Sequence, residues 1–368
     1  MIKFVEDKPI TDSIVDSIKP EDLEFLDLTG RRAYYSQGFY GQGEVVAVID
    51  SGVSPHPEFE DRLLEGKNFT KDHNGDPDIT TDHFGHGTHC AGSIAGKNVG
   101  VAPKCEIVPI KVLGGGDGEG EWAWIIEGLR YANDWRHPKT GQKLTAVSMS
   151  LSADDRGIRE HELLQLKIAV SDLVKNGTAV FCSMGNTSDE SIRYPACLDE
   201  VIAVGAVDIK KEQAYFTTTG NHVDICQIGV HVLSACNYGG YVYMSGTSMS
   251  TPISCGAGIL IANKYRETFK KPITEDLLWN LVKFNTKDLG IPGVDKIYGA
   301  GFFTLQPLEL NMWMQHDNNN IVINGEVIEM EAPAKIENGR FLLPIRYASD
   351  IGAYVIWNPE DRSAKVVY

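Results

Sequence analysis

The sequence has no run of lysine or arginine, and its 50 acidic residues outnumber 34 basic ones, for a net charge of −16. Phosphate recognition needs a basic stripe, so nucleic acid is not expected as a partner, and neither is an anionic membrane surface. No stretch is apolar for long enough to span a bilayer. The first residues, MIKFVEDKPITDSIVDSIK, lack a basic start followed by an apolar run, so no signal peptide is expected. Seven cysteines (90, 105, 182, 197, 226, 236 and 255) are scattered, odd in number and without metal-type pairs. That pattern argues against a disulfide framework and for a reducing, cytoplasmic compartment.

What is present is globular. The 42% hydrophobic content supports a well-buried core, and 368 residues suggest one large domain plus something smaller. EVVAVIDSG (44–52), CEIVPIKVL (105–113), TAVSMSLS (145–152), TAVFCSMG (178–185) and EVIAVGAVD (200–208) read as buried strands. Helical stretches at 86–96, 120–135, 160–177 and about 248–265 lie between and after them. Buried strands alternating with helices predict an α/β fold, a parallel sheet with helices on both faces. Catalytic groups in such sheets lie beyond the carboxyl ends of the strands. Near 311 the character changes: residues 312–319 end in an asparagine run and read as a linker, and Asn324-Gly325 as a hairpin turn in a small β-rich domain, 320–368.

Three short stretches carry chemistry. Asp50 ends a strand in VIDSG, His86 stands in HFGHGTHCAGSIAG, and Ser248 in MSGTSMSTP. A serine hydroxyl is a weak nucleophile until an imidazole takes its proton, and the imidazole needs a carboxylate to fix its tautomer. Each residue alone admits a plainer reading, as a turn aspartate, a structural histidine or a helix cap. In the order Asp…His…Ser, with GVAP (100–103), MSLS, GN (185–186) and VIAVGAVD, the chain resembles the subtilisin-like serine peptidases over residues 25–310. GKNFT (66–70) and IKVLGGGDGEGEWAWIIEGLRYA (110–132) are similar to the intracellular branch of that family.

The resemblance implies a doubly wound catalytic domain over 25–311 and hydrolysis of protein or peptide substrates through an acyl-enzyme. It implies Ser248 as nucleophile, His86 as general base and Asp50 as its orienting partner, with His89 packed or hydrogen-bonded within the same helix. Asn186 and the Ser248 backbone N–H would bind the oxyanion. The walls of the S1 pocket would be Ser150-Leu151-Ser152 and Ser183-Met184-Gly185, with Arg193 near its base. Ser152 stands where the family has glycine and would narrow the cleft. Arg193 either faces the pocket, favouring acidic P1 residues, or turns to solvent or pairs with Asp189 or Glu190. Cys90, one turn after His86, reads as a small buried residue under the histidine.

This chemistry requires no cofactor. The calcium loop that many relatives insert before GVAP has no room in GSIAGKNVGVAP (92–103), and Glu58, standing for the carboxylate the resemblance implies shortly after Asp50, lacks companions, so that site is expected to be absent. A second acidic loop, KDHNGDPDITTD, offers Asp72, Asp76, Asp78 and Asp82 either to calcium or simply to solvent. Residues 320–368 resemble the copper amine oxidase N-terminal-like repeat, a non-catalytic module, and contain no histidine cluster to bind copper. They serve either docking and dimer contacts or as a cap. The resemblance also admits a homodimer, since the intracellular branch includes dimers. Residues 1–24 are an N-terminal extension, either a propeptide or a frayed tail. The alternative to an enzyme is a pseudopeptidase that keeps the fold and binds without turnover.

Overall fold

The computed structural model describes residues 10–306 apart from 155–157, and beyond 306 the backbone of seven short strands. The first unit contains β1 (Ile10–Val15), α1 (Glu24–Leu28), α2 (Arg31–Tyr35), β2 (Val45–Asp50), β3 (Lys67–Asn68), α3 (His86–Ala95) and β4 (Glu106–Lys111). Next come β5 (Leu113–Gly114), β6 (Glu119–Gly120), α4 (Trp122–Asp134), β7 (Ala146–Met149), α5 (Glu160–Lys175) and β8 (Ala179–Ser183). They are followed by β9 (Ile202–Val207), β10 (Ile225–Ile228), β11 (Val232–Ala235), β12 (Tyr241–Ser245), α6 (Thr247–Phe269), α7 (Glu275–Phe284), β13 (Thr286–Lys287) and β14 (Phe302–Phe303).

Nine strands form one sheet in the order β13-β14-β10-β9-β8-β7-β2-β4-β3. All neighbours are parallel except β13 and β14, so the α/β expectation holds for this unit. Strands covered on both faces must be apolar throughout, and β2, β7, β8 and β9 are buried at every residue. Alternate residues Val45, Ala47 and Ile49 of β2 join Val108, Ile110, Val147 and Val180 in a core closed by Ile125 and Leu129 of α4 and Leu166 and Val170 of α5. Helices α3 and α6 pack on the sheet as well, α3 on β2 and α6 on β7 to β10.

From β2 the chain runs to β4 on one side, then crosses to β7 on the other. The strand order therefore reverses at β2, and the crevice beyond its carboxyl end is where such sheets bind ligands. Asp50 is the last residue of β2, and Ser150 follows directly on β7.

Two expectations need correction. The chain divides after Gln306, and Met312–Met314, assigned above to a linker, is a strand paired antiparallel with Ile321–Ile323. Residues 10–15 are not a frayed tail either: β1 pairs antiparallel with β12 from Ile10↔Ser245 to Val15↔Tyr241.

Candidate active site

Helix α3 begins at His86 because Gly85, at φ 93°, makes the turn into it. Gly87 then allows the helix to lie against the loop after β2, where a Cβ would stand 2.1 Å from the Gly52 carbonyl oxygen. This close approach brings His86 Nδ1 to 2.8 Å from Asp50 Oδ1. Both residues are buried, at 4% and 0% exposure. Burial pulls the imidazole pKa down, but the charge and hydrogen bond of Asp50, with a smaller contribution from Asp82, more than reverse this and leave it above its ordinary value.

Ser248 lies in the first turn of α6, four residues before Pro252. Proline has no N–H to give to the carbonyl four residues back. The Ser248 carbonyl is therefore open to side chains, and it accepts from Ser150 Oγ at 2.8 Å and Cys90 Sγ at 3.5 Å. In return Ser248 Oγ donates to the Ser150 carbonyl at 3.3 Å. His86 Nε2 makes no hydrogen bond among the described residues. Ser248 and His86 thus face one cleft with their mutual hydrogen bond not yet made.

Asn186 Oδ1 accepts from the Thr247 N–H at 2.9 Å and the Thr247 hydroxyl at 3.1 Å. Its –NH2 end is thereby turned to the other side. The cleft is lined by His86, Ser248 and Asn186, together with Ser150, Leu151, Ser152, Ser183 and Gly185. Phe84, Leu113, Asp117 and Gly118 also line it, and sequence reading did not single them out. Phe84 stands beside His86, with ring centroids 6.0 Å apart, and its place two residues before the histidine was the available signal.

Met184 is buried but does not line the cleft. Arg193 is not solvent-facing: it is 4% exposed, and its Nη1 lies 3.9 Å from Asp154 Oδ2. Glu190 pairs with Lys296, at 2.8 Å. The Arg193 Nε lies 3.2 Å from where a Cβ on Gly185 would stand, directly behind the cleft wall.

His89 bonds to neighbouring strands rather than within its helix, its Nε2 reaching the Val232 and Val242 carbonyls at 3.1 and 3.2 Å. Burial drives its pKa down to about 3, so it is a neutral link between α3 and the β11–β12 hairpin. Cys90 is buried, and burial raises its thiol pKa well above the ordinary value.

The four carboxylates of the acidic loop go to different protein partners. Asp72 pairs with the fully buried Lys111 at 2.9 Å, and Asp78 with Lys67 at 3.4 Å. Asp76 is exposed and accepts from the Asp78 N–H, while Asp82 is buried on the α3 side. Their spacing left both calcium and solvent open, because sequence cannot show which protein donors reach each carboxylate. Glu58 is likewise taken up by Asn98 N–H and Nδ2, at 2.7 and 2.8 Å, and by the Tyr241 hydroxyl at 2.7 Å. Among the described residues, the group whose ligand atoms converge as a metal site would need is Asp50, His86 and Cys90, within 4.8 Å of one another. An ion there would occupy the Asp–His pair itself.

The subtilase family model matches residues 41–301. The chain belongs to the subtilase family. The major intracellular serine protease of Bacillus subtilis (strain 168) is 36% identical over 282 residues, covering 74% of this chain and 84% of that protein. The intracellular serine protease of Paenibacillus polymyxa is 37% identical over 280 residues, 73% of this chain and 81% of that one. Subtilisin BL of Lederbergia lenta is 35% identical over 237 residues, 63% of this chain and 81% of its own length. This subtilase is a hydrolase, a subtilisin-like serine endopeptidase acting on protein or peptide substrates. Its residues 309–366 match the model of the copper amine oxidase N-terminal domain. No helix among the described residues is long and apolar enough to cross a membrane.

Proposed function

We propose that Asp50, His86 and Ser248 form the catalytic triad of this subtilase, with Asn186 and the Ser248 N–H as oxyanion donors. The observation that carries the reading is the buried 2.8 Å Asp50–His86 hydrogen bond, opening on the cleft that Ser248 and Asn186 also line. With the Nδ1 proton directed at Asp50, the lone pair of Nε2 faces the cleft and is available as a base. When substrate enters, the Ser248 hydroxyl turns from the Ser150 carbonyl to Nε2 and attacks the scissile carbonyl. His86 takes the hydroxyl proton, and the new oxyanion receives hydrogen bonds from Asn186 Nδ2 and the Ser248 N–H. The latter is among the first-turn N–H groups that have no partner within a helix. His86 then gives its proton to the leaving amine, and a water repeats the sequence to release the acid. No step calls for a cofactor or copper, and residues 320–368 contain no histidine.

The base works only when unprotonated, so activity is lost as pH falls through the His86 pKa. Because that pKa is raised in the folded enzyme, kcat/KM rises with pH along a limb whose midpoint lies above the ordinary histidine value. A pH–rate profile of a neutral peptide checks this, and a midpoint below the ordinary value contradicts the Asp50–His86 pairing.

A finer reading concerns P1. A buried guanidinium directly behind Gly185 favours an acidic side chain in the pocket, even with Asp154 nearby. Peptides with Glu at P1 are expected to be cleaved several-fold faster than those with Phe or Leu, and Arg193→Met to reverse the order. Equal rates for Glu and Leu in the wild type would count against it. The names of the two intracellular relatives and seven free cysteines support a cytoplasmic location.

A further inference from the structure

The turn after Asp50 holds more buried polarity than the proposed reaction uses. Ser51 is fully buried, and its backbone N–H, carbonyl and hydroxyl are all engaged. Its N–H donates to Asp50 Oδ1 at 2.7 Å, and its carbonyl accepts from the buried Lys111 Nζ at 2.6 Å. Its hydroxyl donates to Asp82 Oδ1 at 2.8 Å and accepts from the Gly87 N–H at 2.9 Å. One residue thus touches the carboxylate of Asp50 and the first turn of the helix that carries His86.

Asp82, 2% exposed, holds the other end of this link. Besides Ser51, its Oδ1 accepts from the N–H groups of Phe84 and Gly85, at 3.0 and 2.8 Å. Its Oδ2 accepts from Thr88 N–H at 2.9 Å and Thr88 Oγ1 at 2.7 Å. Three of these five donors are backbone N–H groups that cannot accept, so they favour the ionised carboxylate, while burial raises its pKa above the ordinary value. A helix cap accounts for the Gly85 and Thr88 bonds. It does not account for a bond to the residue next to Asp50, 31 positions earlier in the chain.

We propose that Asp82 is a positioning residue for the hydrolytic reaction, acting through Ser51 and the first turn of α3 to hold Asp50 and His86 in register, and stabilising the imidazolium by its charge. This rests on the triad reading given above. The charged and titratable groups around the imidazole are Asp50 on β2, Asp82 ahead of α3, His89 and Cys90 on α3, Lys111 on β4 and Asp117 across the cleft. Burial keeps His89 and Cys90 uncharged at neutral pH. Of the others, Asp82 is the carboxylate beside Asp50 that adds to the upward shift of His86.

Two variants test the role through the pH–rate profile, with folding checked by thermal melting and site integrity by fluorophosphonate labelling. Asp82→Asn keeps the volume and removes the charge. Its acid limb is expected about half a pH unit or more below that of the wild type, and kcat is expected to fall about 10- to 100-fold. Ser51→Ala keeps the charge and cuts the link, so kcat should fall about tenfold or more with the limb in place. A folded Asp82→Asn protein with an unmoved limb overturns the proposal. If Asp82→Asn does not fold, full turnover by Ser51→Ala overturns it. A silent wild type sinks both this role and the triad reading, whereas an active wild type with unaffected variants sinks this role alone.

Discussion

Ser248→Ala lowers kcat by about 10⁶, the scale known for loss of the nucleophile in a subtilisin, while KM and the melting temperature stay close to those of the wild type. The size follows from how the neighbouring serines are used. Ser250 Oγ donates to the Thr247 carbonyl at 2.9 Å, inside the first turn of α6. Ser245 Oγ accepts from the His231 N–H at 2.8 Å, at the end of β12. Neither lines the cleft, so neither can substitute. Steady-state kinetics on a peptide, with circular dichroism as the folding control, give the answer. A loss of less than about a hundredfold would mean that another group attacks.

Asn186→Ala lowers kcat by about 10²–10³ with little change in KM, again a magnitude measured on a subtilisin. The selective loss in kcat arises because the oxyanion exists only after attack, so its donors bind the transition state and not the ground state. Asn186 also anchors Thr247 through its Oδ1, so alanine removes two interactions at once. Asn186→Asp separates them: it keeps an oxygen for Thr247 and places a negative charge where the amide donated. If the oxyanion role dominates, the aspartate variant loses at least as much kcat as the alanine variant. Retained turnover in the aspartate variant would make the Thr247 anchor the main contribution.

The parallel core of the fold was readable because a strand buried on both faces must be apolar along its whole length. VVAVID, AVSM, AVFCS and IAVGAV follow that rule closely, with Asp50, Ser148 and Ser183 as their polar members. The strand Ile10–Val15 escaped because ITDSIV mixes polar and apolar residues and pairs with β12, more than 220 residues later. Placement was readable where a motif fixes backbone and side chain together, as at His86 and Ser248, which line one cleft. It was not readable where a residue's meaning depends on which distant donor reaches it. Asp72 and Asp82 looked alike in an acidic loop, yet one faces a buried lysine and the other five hydrogen-bond donors. Lys111 within the apolar run EIVPIK was a signal of the same kind, since a fully buried lysine must have partners. Arg193 belongs with these, because its burial behind Gly185 follows from packing that no local pattern encodes.

The central claim is that His86 activates Ser248 within this cleft. The most direct measurement is to react the full-length protein with a fluorophosphonate, digest it and locate the adduct by mass spectrometry, in parallel with His86→Ala. The account predicts one adduct, on Ser248, formed rapidly in the wild type and slowed by orders of magnitude in the variant. No adduct on Ser248, or one that forms equally fast without His86, would contradict it and favour a subtilase fold that binds peptides without cleaving them.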